Sequence, residues 1–239
     1  MDYLASSIRP AAGLSFDGSL DESRRIDMVF LLAASPDLDS RRAETRDAVS
    51  SVYASLGADA TARLVVAGKT AQPPSAGTLG AISDSILRTE TAETWRFDSG
   101  LRLAAGSLFD AAGRRVVVYV GSGSVNDQYL DGSSLSELSS LLAANDTALY
   151  AVIIGKEPVS EALGFLVRES GGRVYRSDRP EGLAAIAEHV RAAQTGRYRL
   201  SFSASADDGF GRSYLPFAVE VYLRDRSGKD ESGYFAPLR

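Results

Sequence analysis

Met28 to Ala34 is an unbroken apolar run, preceded by Asp27 and followed by Ser35-Pro36-Asp37. It is too short for a useful helix, and Val and Phe at its centre suit a pleated surface, so it predicts a strand buried on both faces. Comparable runs recur at 62–68, 115–120 and 148–154, with a shorter one at 173–175. Between them the spacing becomes that of amphipathic helices. The first covers 39–56 and is capped by Gly57; others cover 79–87, 101–112, 134–145, 159–169 and 180–194. In the helix over 101–112, Leu101, Leu103, Ala104, Leu108 and Phe109 are expected to face inward. Two stretches read as loops, 69–77 with Pro73-Pro74 and the threonine-rich 88–99. Strand–helix alternation of this kind predicts an α/β fold: a doubly wound, mainly parallel sheet with helices on both faces.

The ends follow a different rhythm. Residues 1–25 contain Pro10, Gly13 and Gly18 and read as an irregular lead-in, with a short edge strand around Leu14 to Phe16. From Tyr198 the period is two: 198–202 and 217–223 alternate, separated by Asp207-Asp208-Gly209, which predicts a β-hairpin able to pack one face on the parent domain. Arg224-Asp225-Arg226 reads as a turn with paired charges. The expected organisation is a lead-in over 1–25, an α/β domain over 26–197 and a β-hairpin extension over 198–239.

Composition narrows the chemistry. At 239 residues the chain can bury a substantial core, and 44% hydrophobic with 24% charged residues is ordinary for a globular protein. A net charge of −5 argues against general nucleic-acid affinity. No run approaches the ~18 apolar residues of a membrane span. With no cysteine, disulfides, thiolate metal sites and cysteine nucleophiles are excluded. His189 is the one histidine, so any histidine acid–base chemistry passes through it. The start, Met1-Asp2-Tyr3-Leu4, lacks the basic and apolar regions of a secretory signal.

Three stretches in order carry a family resemblance: Ala148-Leu-Tyr-Ala-Val-Ile-Ile-Gly, then Leu166-Val-Arg-Glu-Ser-Gly-Gly-Arg-Val-Tyr, then Gly182-Leu-Ala-Ala-Ile. With the ending Tyr198-Arg-Leu-Ser-Phe and Gly233-Tyr-Phe-Ala-Pro, the chain from about Asp27 to Tyr198 resembles the von Willebrand factor A domain in its bacterial form. The resemblance implies a metal-ion-dependent adhesion site: Asp-x-Ser-x-Ser after the first strand, a threonine from the second loop, and the aspartate of a later Thr-Asp-Gly. Such oxygens hold Mg²⁺ or Mn²⁺ and leave a position for an acidic group of the partner.

Here the first motif reads Ala33-Ala34-Ser35-Pro36-Asp37 and the later one Gly121-Ser122-Gly123, so both carboxylates are replaced, by Ala33 and Ser122. In the second loop Thr94, Asp98 and Ser99 are the candidates. Two neutral hydroxyls do not offset the dehydration of a hard cation. No tightly bound metal and no cofactor are therefore expected. A site rebuilt from Asp37, Asp39 and Asp98 is the alternative to reading them as capping or solvated loop residues.

The function expected from the resemblance is non-enzymatic protein–protein interaction through the strand-end loops 93–98 and 121–131. The expected binding residues are Ser35, Asp37, Asp39, Thr94, Trp95, Asp98, Ser122, Ser124, Asn126 and Asp127, with no catalytic residue and a protein partner. Trp95 reads either as an interface anchor or as a ring folded onto the core. Gly121-Ser-Gly-Ser matches no phosphate-loop spacing. Two alternatives stand beside this reading: a serine hydrolase using Ser35 or Ser122 with His189, which lacks a Gly-x-Ser-x-Gly elbow, and a structural domain of a larger cell-envelope protein. The resemblance implies an extracytoplasmic or envelope location, and the missing signal leaves a cytoplasmic one open.

Overall fold

The run predicted as the central strand is one, Ile26–Ala33, with all eight residues buried. The computed structural model describes residues 12–17, 25–57, 60–73, 75–125, 130–193, 199–203, 214–223 and 226–235. In chain order the elements are β1 (Ala12–Asp17), β2 (Ile26–Ala33), α1 (Asp37–Leu56), β3 (Ala60–Ala67), β4 (Ser75–Ala76), α2 (Leu79–Arg88), α3 (Phe97–Gly106) and β5 (Arg114–Gly121). They continue with α4 (Gly132–Ala144), β6 (Thr147–Ile153), α5 (Glu161–Glu169), β7 (Val174–Arg176), α6 (Pro180–Ala192), β8 (Arg199–Ser203), β9 (Tyr214–Leu223) and β10 (Arg226–Phe235).

Six strands form one sheet in the order β4-β3-β2-β5-β6-β7. All pair in parallel except the two-residue β4, which lies antiparallel on β3 within the stretch expected to be loop. Alternation along β2 divides the core. Met28, Phe30 and Leu32 meet α1, α2 and α6 through Val49, Val52, Ile82, Ile86, Ile186 and Val190. Val29, Leu31 and Ala33 meet α3, α4 and α5 through Phe97, Leu101, Leu138 and Leu163. This is the doubly wound sheet that the sequence predicts. Because the chain steps from β2 out to β3 and then returns to pair β5 on the other side of β2, the order reverses between β2 and β5. Such a reversal places the expected ligand crevice beyond their carboxyl ends.

Two helical expectations shift. α3 begins at Phe97, because Phe97, Leu101, Ala104 and Ala105 already form an apolar stripe that the polar neighbours Arg96, Asp98 and Ser99 obscure in sequence. It ends at Gly106, and Phe109, expected inward, is 64% exposed in the turn that follows. At the opposite, amino end of the sheet the carboxylate of Asp27 is buried and accepts bonds from Thr61, the Gly113 N–H (2.9 Å) and Arg25 (3.1 Å).

The chain divides into two compact units, Ser19–Tyr198 and a second made from both ends, Met1–Gly18 with Arg199–Arg239. In the second, β9 and β10 form an antiparallel ladder from Arg226↔Leu223 to Phe235↔Tyr214. The expected pairing of 198–202 with 217–223 is corrected: β8 pairs with β1, from Asp17↔Arg199 to Ala12↔Ser203. Arg224 and Asp225, in the charged stretch read as a turn, lie outside the described residues. The Asp207-Asp208-Gly209 turn region lies outside the described residues.

Candidate functional site

The floor of the crevice is made of small residues. Ala33 ends β2 buried in the core, and at the end of β5 a Cβ added to Gly121 would lie 2.6 Å from that of Ala33 and 2.7 Å from the Tyr119 hydroxyl. Tyr119 is fully buried and donates to the Ser122 carbonyl at 2.9 Å. Burial, with the nearby charge of Asp37 adding to it, raises its pKa well above the ordinary phenol value. Trp95 stacks on Tyr119 (centroids 6.3 Å apart) and meets Phe97 edge-on, and it is 4% exposed. Of the two readings of Trp95, the structure shows the ring folded onto the core, in an aromatic layer with Tyr119 and Phe97, and not a surface anchor.

Above that floor the loops are tied to one another. The Ala34 carbonyl accepts from the Ala92 N–H (2.9 Å) and the Gly68 carbonyl from the Arg96 N–H (3.0 Å). Ser35 and Ser122 are both buried, and Ser122 Oγ donates to the Ser124 carbonyl at 3.4 Å. Asp37, in the first turn of α1, is exposed, as are Thr94 and Ser124. Asp39 is also exposed and accepts from Thr91 Oγ1 (2.7 Å) and Arg42 Nη2 (2.5 Å). These two partners, Thr91 first, hold its carboxyl below the usual carboxylate range. Asp98 pairs with Arg102 Nε at 2.9 Å. Asn126 and Asp127 lie outside the described residues.

Sequence reasoning passed over the residues that do most of the tying. Arg41 Nη1 donates to the Ile154 carbonyl (2.7 Å), and its two terminal nitrogens grip Glu157 at 3.2 and 2.9 Å. Its neighbour Arg42 reaches the other way, to the Ile86 carbonyl at 3.0 Å. The backbone permits this because Arg41 alone leaves helical geometry within α1 (φ −125°, ψ 16°). Thr91, rather than Thr94, is the loop threonine that meets Asp39. The available signal was the pair Arg41-Arg42 one turn into α1, two adjacent cations on what a continuous helix would place about 100° apart.

The expected serine–histidine alternative is not assembled. His189 packs edge-on against Tyr150 in the middle of β6 (centroids 5.6 Å apart), away from the strand-end serines. His189 Nδ1 and the Tyr150 hydroxyl are buried without a hydrogen-bond partner among the described residues. Burial, then the charge of Arg173, lowers the His189 pKa. Among the described residues no three His, Cys, Asp or Glu side chains converge as a metal-binding group would require.

No protein-family model matches the chain, and no curated protein sequence does. Solved structures do match. A von Willebrand factor type A protein from Catenulispora acidiphila aligns with a TM-score of 0.55 and 14% identity over 89% of this chain and 56% of that one. The SpRpn10 VWA domain aligns with a TM-score of 0.52 and 15% identity over 63% of this chain and 86% of that one. An aerotolerance-related membrane protein from Bacteroides fragilis, carrying multiple mutations to serine, aligns with a TM-score of 0.52 and 11% identity, over 70% and 100% respectively.

Proposed function

Proceeding from the von Willebrand factor A fold, we propose that the chain is a non-enzymatic protein-interaction module that works through its strand-end loops without a metal ion. The observation that carries this reading is the way the crevice is filled. Ala33, Gly121 and Tyr119 close the floor where an anionic ligand set would be needed. Asp39 and Asp98 are committed to Thr91, Arg42 and Arg102. A hard divalent cation requires anionic oxygens converging in near-octahedral array, and these residues do not fit that demand. The exposed polar rim of Asp37, Thr94 and Ser124 is what remains for a partner. The placement of His189 on α6, packed against Tyr150, supports a role without hydrolytic chemistry.

An envelope setting is part of the proposal. It draws on the likeness to the Bacteroides fragilis membrane protein. Among the described residues no helix is long and apolar enough to cross a membrane. The interaction reading is tested by placing a photo-crosslinking residue at Ser124 on the rim and, separately, at Phe109 at the opposite end. A discrete adduct at Ser124 and none at Phe109 is expected in source cells. Equal labelling at both sites, or none at either, overturns the reading.

A further inference from the structure

Two guanidinium groups and one carboxylate meet where β6 and β7 end. Arg41 holds both carboxylate oxygens of Glu157 in a fork and also bonds the Ile154 carbonyl. Arg176 Nη2 donates to the Gly155 carbonyl at 2.6 Å, and its Nη1 to the Glu157 carbonyl at 3.4 Å. Asp178 stands 3.5 Å from the Nε edge of Arg176, which leaves Arg41 as the principal grip. The Arg41 and Glu157 side chains are 28% and 38% exposed, so the pair lies open to solvent.

The backbone is built around this contact. Gly155 sits at φ +95°, and a Cβ there would fall on the Arg41 guanidinium. The break in α1 at Arg41 swings that side chain away from Arg42 and over the β6–α5 loop. The Glu157 carboxyl is held below the usual range by its own backbone N–H first and by Arg41 second. A fork of parallel N–H donors selects a planar carboxylate in a way a point charge does not. A partly exposed ion pair contributes little to stability, so exchanging one carboxylate for another costs the fold little.

We propose that Arg41 and Arg176 form a carboxylate-recognition site for an acidic segment of a protein partner, with Glu157 as its tethered competitor. An incoming Asp or Glu takes the Arg41 fork as Glu157 swings out, so the site is self-occupied until the partner arrives. The proposal rests on the interaction-module reading above and names the chemistry of the partner.

The test uses the full chain and a fluorescent hexaglutamate peptide at low ionic strength, with hexalysine as control. Glu157→Gln keeps the shape and removes the competing charge, so hexaglutamate should bind about tenfold tighter than to the unaltered chain. Adding Arg41→Gln should abolish that gain, and Arg41→Lys, which keeps the charge without the fork, should lose most of it. Unchanged Trp95 emission verifies that each variant is folded. Affinity unmoved by Glu157→Gln, or a gain that survives Arg41→Gln, overturns the proposal. If the peptide fails while Ser124 still crosslinks a partner, the carboxylate site is wrong and the module reading stands. Failure of both removes the module reading as well.

Discussion

Arg41 and Gly155 share one space: the guanidinium lies where a side chain on Gly155 would begin, and Gly155 holds φ +95° to leave it there. Gly155→Ala therefore meets two penalties, a left-handed backbone and a displaced arginine. The loss should be about 2–4 kcal/mol in denaturant midpoint analysis. Gly171→Ala is the control, since Gly171 also has positive φ (+77°) but nothing within 4 Å. It should lose only about 1 kcal/mol, the backbone term alone. Equal losses at the two positions would mean that the Arg41 contact contributes nothing.

Asp27 links β2, β3 and the turn before β5 from beneath the sheet. Burial opposes its ionisation, but the bonds from Thr61, Gly113 and Arg25 prevail and lower its pKa below 3.8. The unfolded chain then takes up the proton first on acidification. The stability Asp27 contributes is thus present above about pH 3.8 and is lost as pH falls through the lower folded value. Melting temperature should fall over that acidic window, and Asp27→Asn should flatten this part of the profile. At neutral pH Asp27→Ala should cost about 2–4 kcal/mol by leaving buried donors unpaired.

His189 gives a second acid window at milder pH. Its folded pKa is depressed below 6.5 by burial and by Arg173, so protons again bind the unfolded chain first. Native stability should decline as pH drops from about 6.5 toward the depressed value. His189→Phe retains an edge contact to Tyr150 and should remove that decline, read as melting temperature against pH between neutrality and pH 5. The same slope in both proteins would show that His189 is not its source.

Trp95 serves as a reporter of the crevice floor, being the one tryptophan in the chain. Buried against Tyr119 and Phe97, it should emit toward the blue and shift red on unfolding. Trp95→Ala should cost about 3–5 kcal/mol, the range for deleting a large buried aromatic side chain. Emission already at the solvent-exposed wavelength in the folded state would contradict the burial.

Millimolar Mg²⁺, Mn²⁺ or Ca²⁺, added after chelation, should leave the melting temperature unmoved. A ligand at 100 times its dissociation constant would add about 2.7 kcal/mol, enough to shift it by several degrees. A shift lost on Asp37→Ala would establish a rebuilt metal site and defeat the metal-free reading.

The amino-acid sequence alone determined the five parallel strands of the sheet, though not the short antiparallel β4, and the doubly wound class. Runs such as Met28–Ala34 have no stable place except between two covered faces, and glycines such as Gly57 mark where helices stop. The family resemblance the chain carries gave the expectation that Ala33 and Ser122 stand at the family's carboxylate positions. Tertiary structure decided the pairings. β8 lies on β1 rather than on β9, Trp95 turns inward onto Tyr119, and Arg41 finds Glu157 across 116 positions of chain. The reason is physical: periodicity encodes which side of an element is buried, a local property. Which distant group meets an arginine or an indole depends on where closure of the sheet leaves space and an unmatched charge.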